Sequence, residues 1–296
     1  MGTSTNNTSS SNRRPDWLKI KLNTSTDFQN TKDIINNQML NTVCVEAKCP
    51  NIYECWNRKT ATIMILGDVC TRACGFCSVK TGKPPITDEL EPIRVSEAVK
   101  RMSLKHVVLT SVDRDDLKND YGASIWARTV TMIHQNVKGC SVEVLTPDFK
   151  GHKPSILKVF NSQPEIFSHN VECVKRISKQ VRAQSDWDRT LDVLRMSVNH
   201  GLLTKTGMMV GLGETDKEVY NTMDEVFQVG VKIFNIGQYL QPTKKHLPVA
   251  RFVHPDQFKE YKEYGLKLGF KVVESAPLVR SSYHADEQVE SFVENN

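Results

Sequence analysis

The chain has 296 residues, with 39 Lys and Arg against 34 Asp and Glu for a formal net charge of +5. That length can bury a large core and is near the size of a single α/β barrel. The charge is scattered in short pairs such as Lys244-Lys245, and a basic stripe interleaved with aromatics is missing, so no nucleic-acid partner is expected.

No apolar run is long enough to span a bilayer or to form the core of an export signal, so a cytoplasmic protein with no membrane partner is expected. Residues 1–14, MGTSTNNTSSSNRR, carry almost no apolar side chains and cannot offset the entropy of ordering, which predicts a disordered tail. Apolar runs at 61–67, 106–112, 141–147, 165–171, 206–212 and 234–240 read as strands. Helical segments lie between them.

The segment 186–200 places Trp187, Leu191, Leu194 and Val198 on one face, with Ser185 as the expected N-cap and Gly201 as the stop. A second helix, 216–229, opens with Thr215 and Glu218 in capping-box spacing and ends at Gly230. A last unit has a helix after Pro255 and a strand within FKVVESAPL. Strands alternating with helices imply parallel βαβ units, either in an open doubly wound sheet or in a partial barrel, and the pattern alone does not choose. Both gather ligands at the carboxyl ends of the strands. Polar groups recur at five such ends: Asp68 and the Cys70 loop, DRDDL at 113–117, TPDFKG at 146–151, HNVE at 169–172 and GLGE at 211–214. Together they predict a pocket.

Six of the eight cysteines fall into two trios, Cys44, Cys49 and Cys55 in CVEAKCPNIYECW and Cys70, Cys74 and Cys77 in GDVCTRACGFC. Cys140 and Cys173 lie in or beside strands and are expected in the core. A disulfide framework fits poorly, because the cysteines crowd too tightly to staple a large core. Structural zinc favours four ligands in paired C-x-x-C knuckles, which neither trio offers alone, and a zinc-stabilised interaction protein stays open as an alternative. Thiolate-bound iron–sulfur clusters fit better, since two trios can serve two clusters. Three cysteines leave one iron open to an outside ligand.

The C-x-x-x-C-x-x-C loop after the first strand resembles the radical S-adenosylmethionine superfamily. CVEAKCPNIYECW, GDVCTRACGFC, VVLTSVDRDDL, VEVLTPDF, FSHNVE, GMMVGLGET, IGQYLQPTKKHLPV and VRSSYHA are similar, in order, to the blocks of the lipoyl synthase family over residues 43–285. Tyr53 stands where that family usually has Gly, which puts a local turn in question. Biotin synthase is the neighbouring alternative, but it lacks an N-terminal trio of this type.

The resemblance implies a partial (βα)6 TIM-like barrel over 61–242, flanked by an extension at 15–60 with the first trio and one at 243–296 with the RSSY block. It implies insertion of two sulfur atoms at carbons six and eight of an octanoyl chain amide-linked to a carrier protein. Two 4Fe–4S clusters and S-adenosylmethionine are the implied cofactors. Cys70, Cys74 and Cys77 would hold the cluster that the cofactor chelates, starting radical chemistry. Cys44, Cys49 and Cys55 would hold the sulfur-donating cluster, with Ser282 of Arg280-Ser281-Ser282-Tyr283 as fourth ligand and Ser281 as the alternative. Ser111, Asp113, Asn170, Glu172 and Arg182 are the implied polar contacts to S-adenosylmethionine, Phe76 would rest on adenine, and Gly211 would allow close backbone approach. His169 and His200 read as structural histidines. The implied partners are an octanoylated lipoyl carrier protein or domain, an electron donor such as flavodoxin or ferredoxin, and an iron–sulfur carrier that rebuilds the donor cluster. A monomer is expected.

Overall fold

The computed structural model describes residues 14–19, 26–38, 40–46, 49, 51–57, 60–282, 285 and 288. The expected tail, apart from Arg14, and Tyr283 of the RSSY block lie outside the described residues. Seven parallel strands carry the architecture: β1 (Ala61–Ile65), β2 (His106–Ser111), β3 (Ser141–Leu145), β4 (Ile166–Ser168), β5 (Leu203–Val210), β6 (Ile233–Gln238) and β7 (Val272–Ser275). Between them run α1 (Glu91–Arg101), α2 (Ala123–Asn136), α3 (Lys153–Phe160), α4 (Trp187–Asn199), α5 (Asp216–Val229) and α6 (Pro255–Leu268).

Each strand pairs with its sequence neighbour, so the order across the sheet is the order along the chain. A doubly wound sheet reverses direction at a switch point; this one has none, and it therefore follows the partial-barrel alternative. The extensions join the same sheet at its two edges. Asn41–Thr42 pairs antiparallel with β1, and β7 adds a parallel strand beyond the six of the implied barrel, with Val272 opposite Ile233.

Local chemistry accounts for the element ends. Thr215 and Glu218 form the expected reciprocal capping box at the start of α5, and Gly230 closes the helix at φ 100°. At α4 the cap is Asp186 rather than Ser185: the Asp186 carboxylate accepts from Arg189 N at 2.9 Å, while Ser185 N is engaged by Arg182 O in the preceding turn. Both residue types can cap, and the turn geometry selects between them. Cys140 and Cys173 are buried in the core, as expected for small apolar residues. Among the described residues no helix is long and apolar enough to cross a membrane.

The barrel interior holds a charged pair that apolar patterning does not announce. Lys205 of β5 donates to Glu143 of β3 at 3.0 Å, and both side chains are fully buried. Since β4 lies between these strands, the pair reaches across the lumen, with His106 of β2 at 3.9 Å from the same carboxylate. Breaking one member of such a pair leaves a buried charge uncompensated, at a cost of about 3–5 kcal/mol. Lys205→Met should therefore lower stability by that amount in denaturant unfolding, and Lys205→Met with Glu143→Leu should recover most of the loss. A single variant as stable as the parent chain would contradict the pairing.

Candidate active site

The sharp exit from β1 begins the site. Leu66 and Gly67 take positive φ values of 68° and 94°, and the chain returns through a short ribbon in which Val69–Cys70 pairs with Lys80–Thr81. Cys70 ends the first of these strands, and the loop between them carries Cys74 and Cys77. Its far side is braced by two other segments: Gly75 N donates to Val181 O at 2.9 Å, and Leu247 N donates to Gly75 O at 2.9 Å. A Cβ on Gly75 would sit 2.9 Å from Leu247 side-chain carbons, so the fit depends on glycine there. His246 Nε2 donates to Cys77 O at 2.9 Å, which fixes the hydrogen on that nitrogen and lets Nδ1 accept from Thr243.

Cys70 meets both groups that favour a thiolate and a group that opposes one. The backbone N–H groups of Arg72 and Asp113 point at its sulfur at 3.4 and 3.3 Å, and the Asp113 carboxylate lies 3.6 Å away. None of the eight cysteines is joined in a disulfide. Burial pushes the Cys70 thiol up to about 11, with Asp113 adding to the rise, and burial pushes Cys74 up to about 12. Burial also raises Cys77. Thiols of this kind shed protons poorly in isolation, and a coordinated metal is the natural means of stabilising them as thiolates. Among the described residues no three His, Cys, Asp or Glu side chains converge on one ion. In a cubane cluster each thiolate binds a different iron, so convergence on a single point is not needed.

The loop opens into a cavity of about 620 Å³ at the carboxyl ends of the strands. Cys70, Cys74, Cys77, Phe76, Ser111, Asp113, Asn170, Glu172 and Arg182 all line it. Gly211 and Cys55 lie outside the lining. The positive φ of Gly211, 97°, serves another packing: a Cβ there would meet Gln238 Nε2 at 2.2 Å and Arg251 O at 2.6 Å. Ser111 is turned onto the backbone, donating to Val112 O at 2.8 Å.

On the opposite wall Asn170 Nδ2 donates to Glu172 at 3.1 Å and to the Ser281 hydroxyl at 2.7 Å. Arg182 donates to the backbone oxygens of Asn170 and Val171 at 3.3 and 3.1 Å. Burial raises Glu172, and the nearby Arg182 opposes that rise. Among the described residues, Asn170 Oδ1, Asn235 Oδ1 and Arg182 Nε are buried without a hydrogen-bond partner. Unmet polar atoms of both signs around a cavity suit a polar ligand with its own donors and acceptors. His169 is satisfied on one side, its Nδ1 donating to Thr146 O at 2.9 Å, and burial pushes it down to about 4.

Cys44 and Cys49 enter the same cavity from the N-terminal extension, and Arg14 also lines it. Burial pushes Cys44 up to about 11 and also raises Cys49, whose neighbours Asn51 N–H and Arg280 oppose the shift. Asn51, between Cys49 and Cys55, donates to Leu278 O at 2.7 Å and so ties this extension to the C-terminal one. The C-terminal segment is in turn seated on β6. Gln238 N donates to Pro277 O at 3.2 Å, and Asn235 Nδ2 donates to Arg280 O and Ser281 O at 3.2 and 3.1 Å. Arg280, Ser281 and Ser282 line the cavity. The Ser281 hydroxyl is held by Asn170, whereas that of Ser282 makes no hydrogen bond among the described residues.

Sequence reading missed Arg72, Asp148, Asn235, His246 and Leu247 as parts of this site. The polar strand ends DRDDL and TPDFKG carried a signal for the acidic residues, but nothing local marks Asn235 within an apolar strand.

Residues 64–226 match a family described as the Radical SAM superfamily. The chain is 52% identical over 279 residues to a lipoyl synthase of Rubrobacter xylanophilus, covering 94% of this chain and 87% of that one. It is 51% identical over 277 residues to a lipoyl synthase of Parabacteroides distasonis, covering 94% and 98%. Among solved structures, Streptococcus suis SuiB bound to S-adenosylmethionine superposes with a TM-score of 0.58 at 9% identity, over 79% of this chain and 56% of that one. Methylornithine synthase superposes with a TM-score of 0.50 at 12% identity, over 79% and 81%. These two likenesses show the fold alone.

The seating on β6 gives a direct test. A Cβ on Gly237 would lie 2.0 Å from Val279 O, so Gly237→Ala must push the C-terminal segment away. The expected loss is about 1–3 kcal/mol in thermal or denaturant unfolding, with new protease sensitivity around 276–282. Unchanged stability and protection would show that the segment is not seated there.

Proposed function

Since the chain belongs to the lipoyl synthase family of the radical SAM superfamily, we propose that Cys70, Cys74 and Cys77 hold the 4Fe–4S cluster that S-adenosylmethionine chelates, and that Cys44, Cys49, Cys55 and Ser282 hold a second one. The activity of the family is radical insertion of two sulfur atoms, at carbons six and eight of a protein-bound octanoyl group. Those carbons carry no acidic hydrogen, so no side-chain base within the ordinary pKa range can activate them. The bound clusters and S-adenosylmethionine supply what the side chains cannot, a carbon-centred radical and a source of sulfide.

The protein's own residues bind, orient and separate. The loop of the second trio leaves one coordination position to an outside ligand, as an open catalytic metal site does. The unmet atoms of Asn170 and Arg182, with the carboxylates of Glu172 and Asp113 on the same cavity, would orient the amine, carboxylate and ribose of S-adenosylmethionine, and Phe76 offers a face to its adenine. Met64, Leu145, Met208 and Met209 contribute apolar surface to the same cavity and suit an acyl chain. Its volume, about 620 Å³, is in the range of sites that enclose a sizeable ligand. Ser282 is favoured over Ser281 as the fourth ligand because Asn170 already engages Ser281. A serine must lose its proton to bind iron, and the neighbouring Arg280 guanidinium would stabilise that negative charge.

The observation that carries the reading is that cysteines of both trios and residues 280–282 line a single cavity. Residues 15–60 and 243–296 are, in this view, the extensions that add the second ligand set to a barrel at 61–242. The substrate is an octanoylated carrier protein. Flavodoxin or ferredoxin as electron donor, an iron–sulfur carrier for repair, a cytoplasmic site of action and a monomeric state complete the proposal.

Mass spectrometry of an octanoylated carrier, incubated anaerobically with the protein, reductant and S-adenosylmethionine, should detect the dithiolane product. Cys74→Ala should abolish 5′-deoxyadenosine formation, and normal cleavage by that variant would reject its role. Cys49→Ala should still cleave S-adenosylmethionine but form no dithiolane; retained product would reject the donor role of the first trio. Ser282→Ala should lose product while Ser281→Ala keeps most of it, and the reverse order would move the ligand to Ser281.

A further inference from the structure

Arg72 stands between Cys70 and Cys74 in sequence, yet it is only 8% exposed. Its guanidinium is turned inward onto three carboxylates. Nε and Nη2 donate to Asp115 at 2.9 and 2.8 Å, Nη2 donates to Asp148 at 2.7 Å, and Nη1 lies 3.2 Å from Asp113. Asp113 and Asp115 follow β2, and Asp148 follows β3, so one side chain ties the cysteine loop to two strand ends. Lys150, 3.2 Å from Asp115, and Arg189, donating to Asp148 at 3.0 Å, bring the network to three cations against three carboxylates.

Two features separate this arrangement from an ordinary ion pair. The Asp113 carboxylate that Arg72 engages through Oδ1 presents its other oxygen to Cys70 Sγ at 3.6 Å. The adjoining backbone is also locked: Thr71 donates to Asp113 O through N at 3.0 Å and through Oγ1 at 2.9 Å, and Asp115 N donates to Thr71 Oγ1 at 3.0 Å.

We propose that Arg72 is a positioning residue of the cofactor site, fixing the Asp113 carboxylate beside Cys70 and pinning the cysteine loop to the ends of β2 and β3. The inference rests on the reading that Cys70, Cys74 and Cys77 hold a cluster. Only a guanidinium serves three carboxylates at once, because its donors form a planar fork, whereas an ammonium is a compact point charge. Without a cation at 72, three carboxylates face two cations next to the cluster. Excess negative charge stabilises the oxidised cluster over the reduced one and lowers its midpoint potential.

The test measures the midpoint potential and the affinity for S-adenosylmethionine, without turnover, on cluster-loaded protein, with iron per chain and thermal midpoint recorded alongside. Arg72→Gln should keep its iron, bind S-adenosylmethionine about tenfold more weakly, the scale of lost support around a metal site, and show a lower potential. Arg72→Lys keeps the charge, so its potential should stay near the parent value while affinity remains reduced. Asp115→Asn removes a carboxylate that touches neither cysteine nor ligand and should raise the potential; it serves alone if Arg72→Gln does not fold. Unchanged affinity and potential in Arg72→Gln, or an unchanged potential in Asp115→Asn, would overturn the inference. The parent reading fails separately, if the unmodified protein holds no iron at Cys70, Cys74 and Cys77 or binds no S-adenosylmethionine.

Discussion

The seating of residues 276–282 against the end of β6 is the contact on which the site depends. At Gly237 the two backbones approach so closely that no side chain can stand between them. The approach is stabilised by direct hydrogen bonds: Ala276 N to Ile236 O, Gln238 N to Pro277 O, and the Asn235 amide to Arg280 O and Ser281 O. Asn51 then reaches Leu278 O from the opposite extension. Segments separated by more than two hundred residues in sequence are thereby brought to one wall. A barrel without this closure would keep Cys70, Cys74 and Cys77 on its rim but would not bring Arg280, Ser281 and Ser282 into the same cavity.

Two buried ionic arrangements serve different layers of the molecule. The Lys205–Glu143 pair lies in the lumen, spans β4 and lines no part of the cavity. Its members are matched one to one, which is the condition for tolerating charge in a medium of low dielectric constant. The Arg72 network lies at the rim, where the cysteine loop meets β2 and β3. There burial pushes Asp148 up, but Arg72 outweighs it and holds the carboxyl well below the usual range. Within each of these two networks, among the described residues, cations and carboxylates are equal in number.

Much of this was legible from the chain alone, for physical reasons. Apolar runs at 106–112 and 141–147 mark buried strands, because parallel strands covered on both faces need not alternate. The Thr215–Glu218 box and Gly230 located α5 because capping is a local interaction. Spacing singled out both cysteine trios, and the fold brings Cys44, Cys49, Cys70, Cys74 and Cys77 to one cavity while Cys55 stays outside its lining. Long-range closure was not legible. Neither Asn51 nor Asn235 carries a local pattern that names a partner near residue 280, and Gly237 reads as an unremarkable strand glycine. Arg72 was hidden for the opposite reason: a basic residue in a loop is ordinarily solvated, and only the folded chain supplies the three carboxylates that bury it. Between open sheet and barrel, the choice required strand order, which periodicity does not encode.

The central claim is that the first trio holds a cluster that surrenders its sulfide to an acyl chain in the shared cavity. Isotopic labelling tests it most directly. Protein whose clusters are assembled with heavy-isotope sulfide is given an octanoylated carrier, reductant and S-adenosylmethionine in unlabelled buffer for a single turnover, and the product is weighed by mass spectrometry. The account predicts that both inserted sulfur atoms carry the label. A product containing only light sulfur would contradict it.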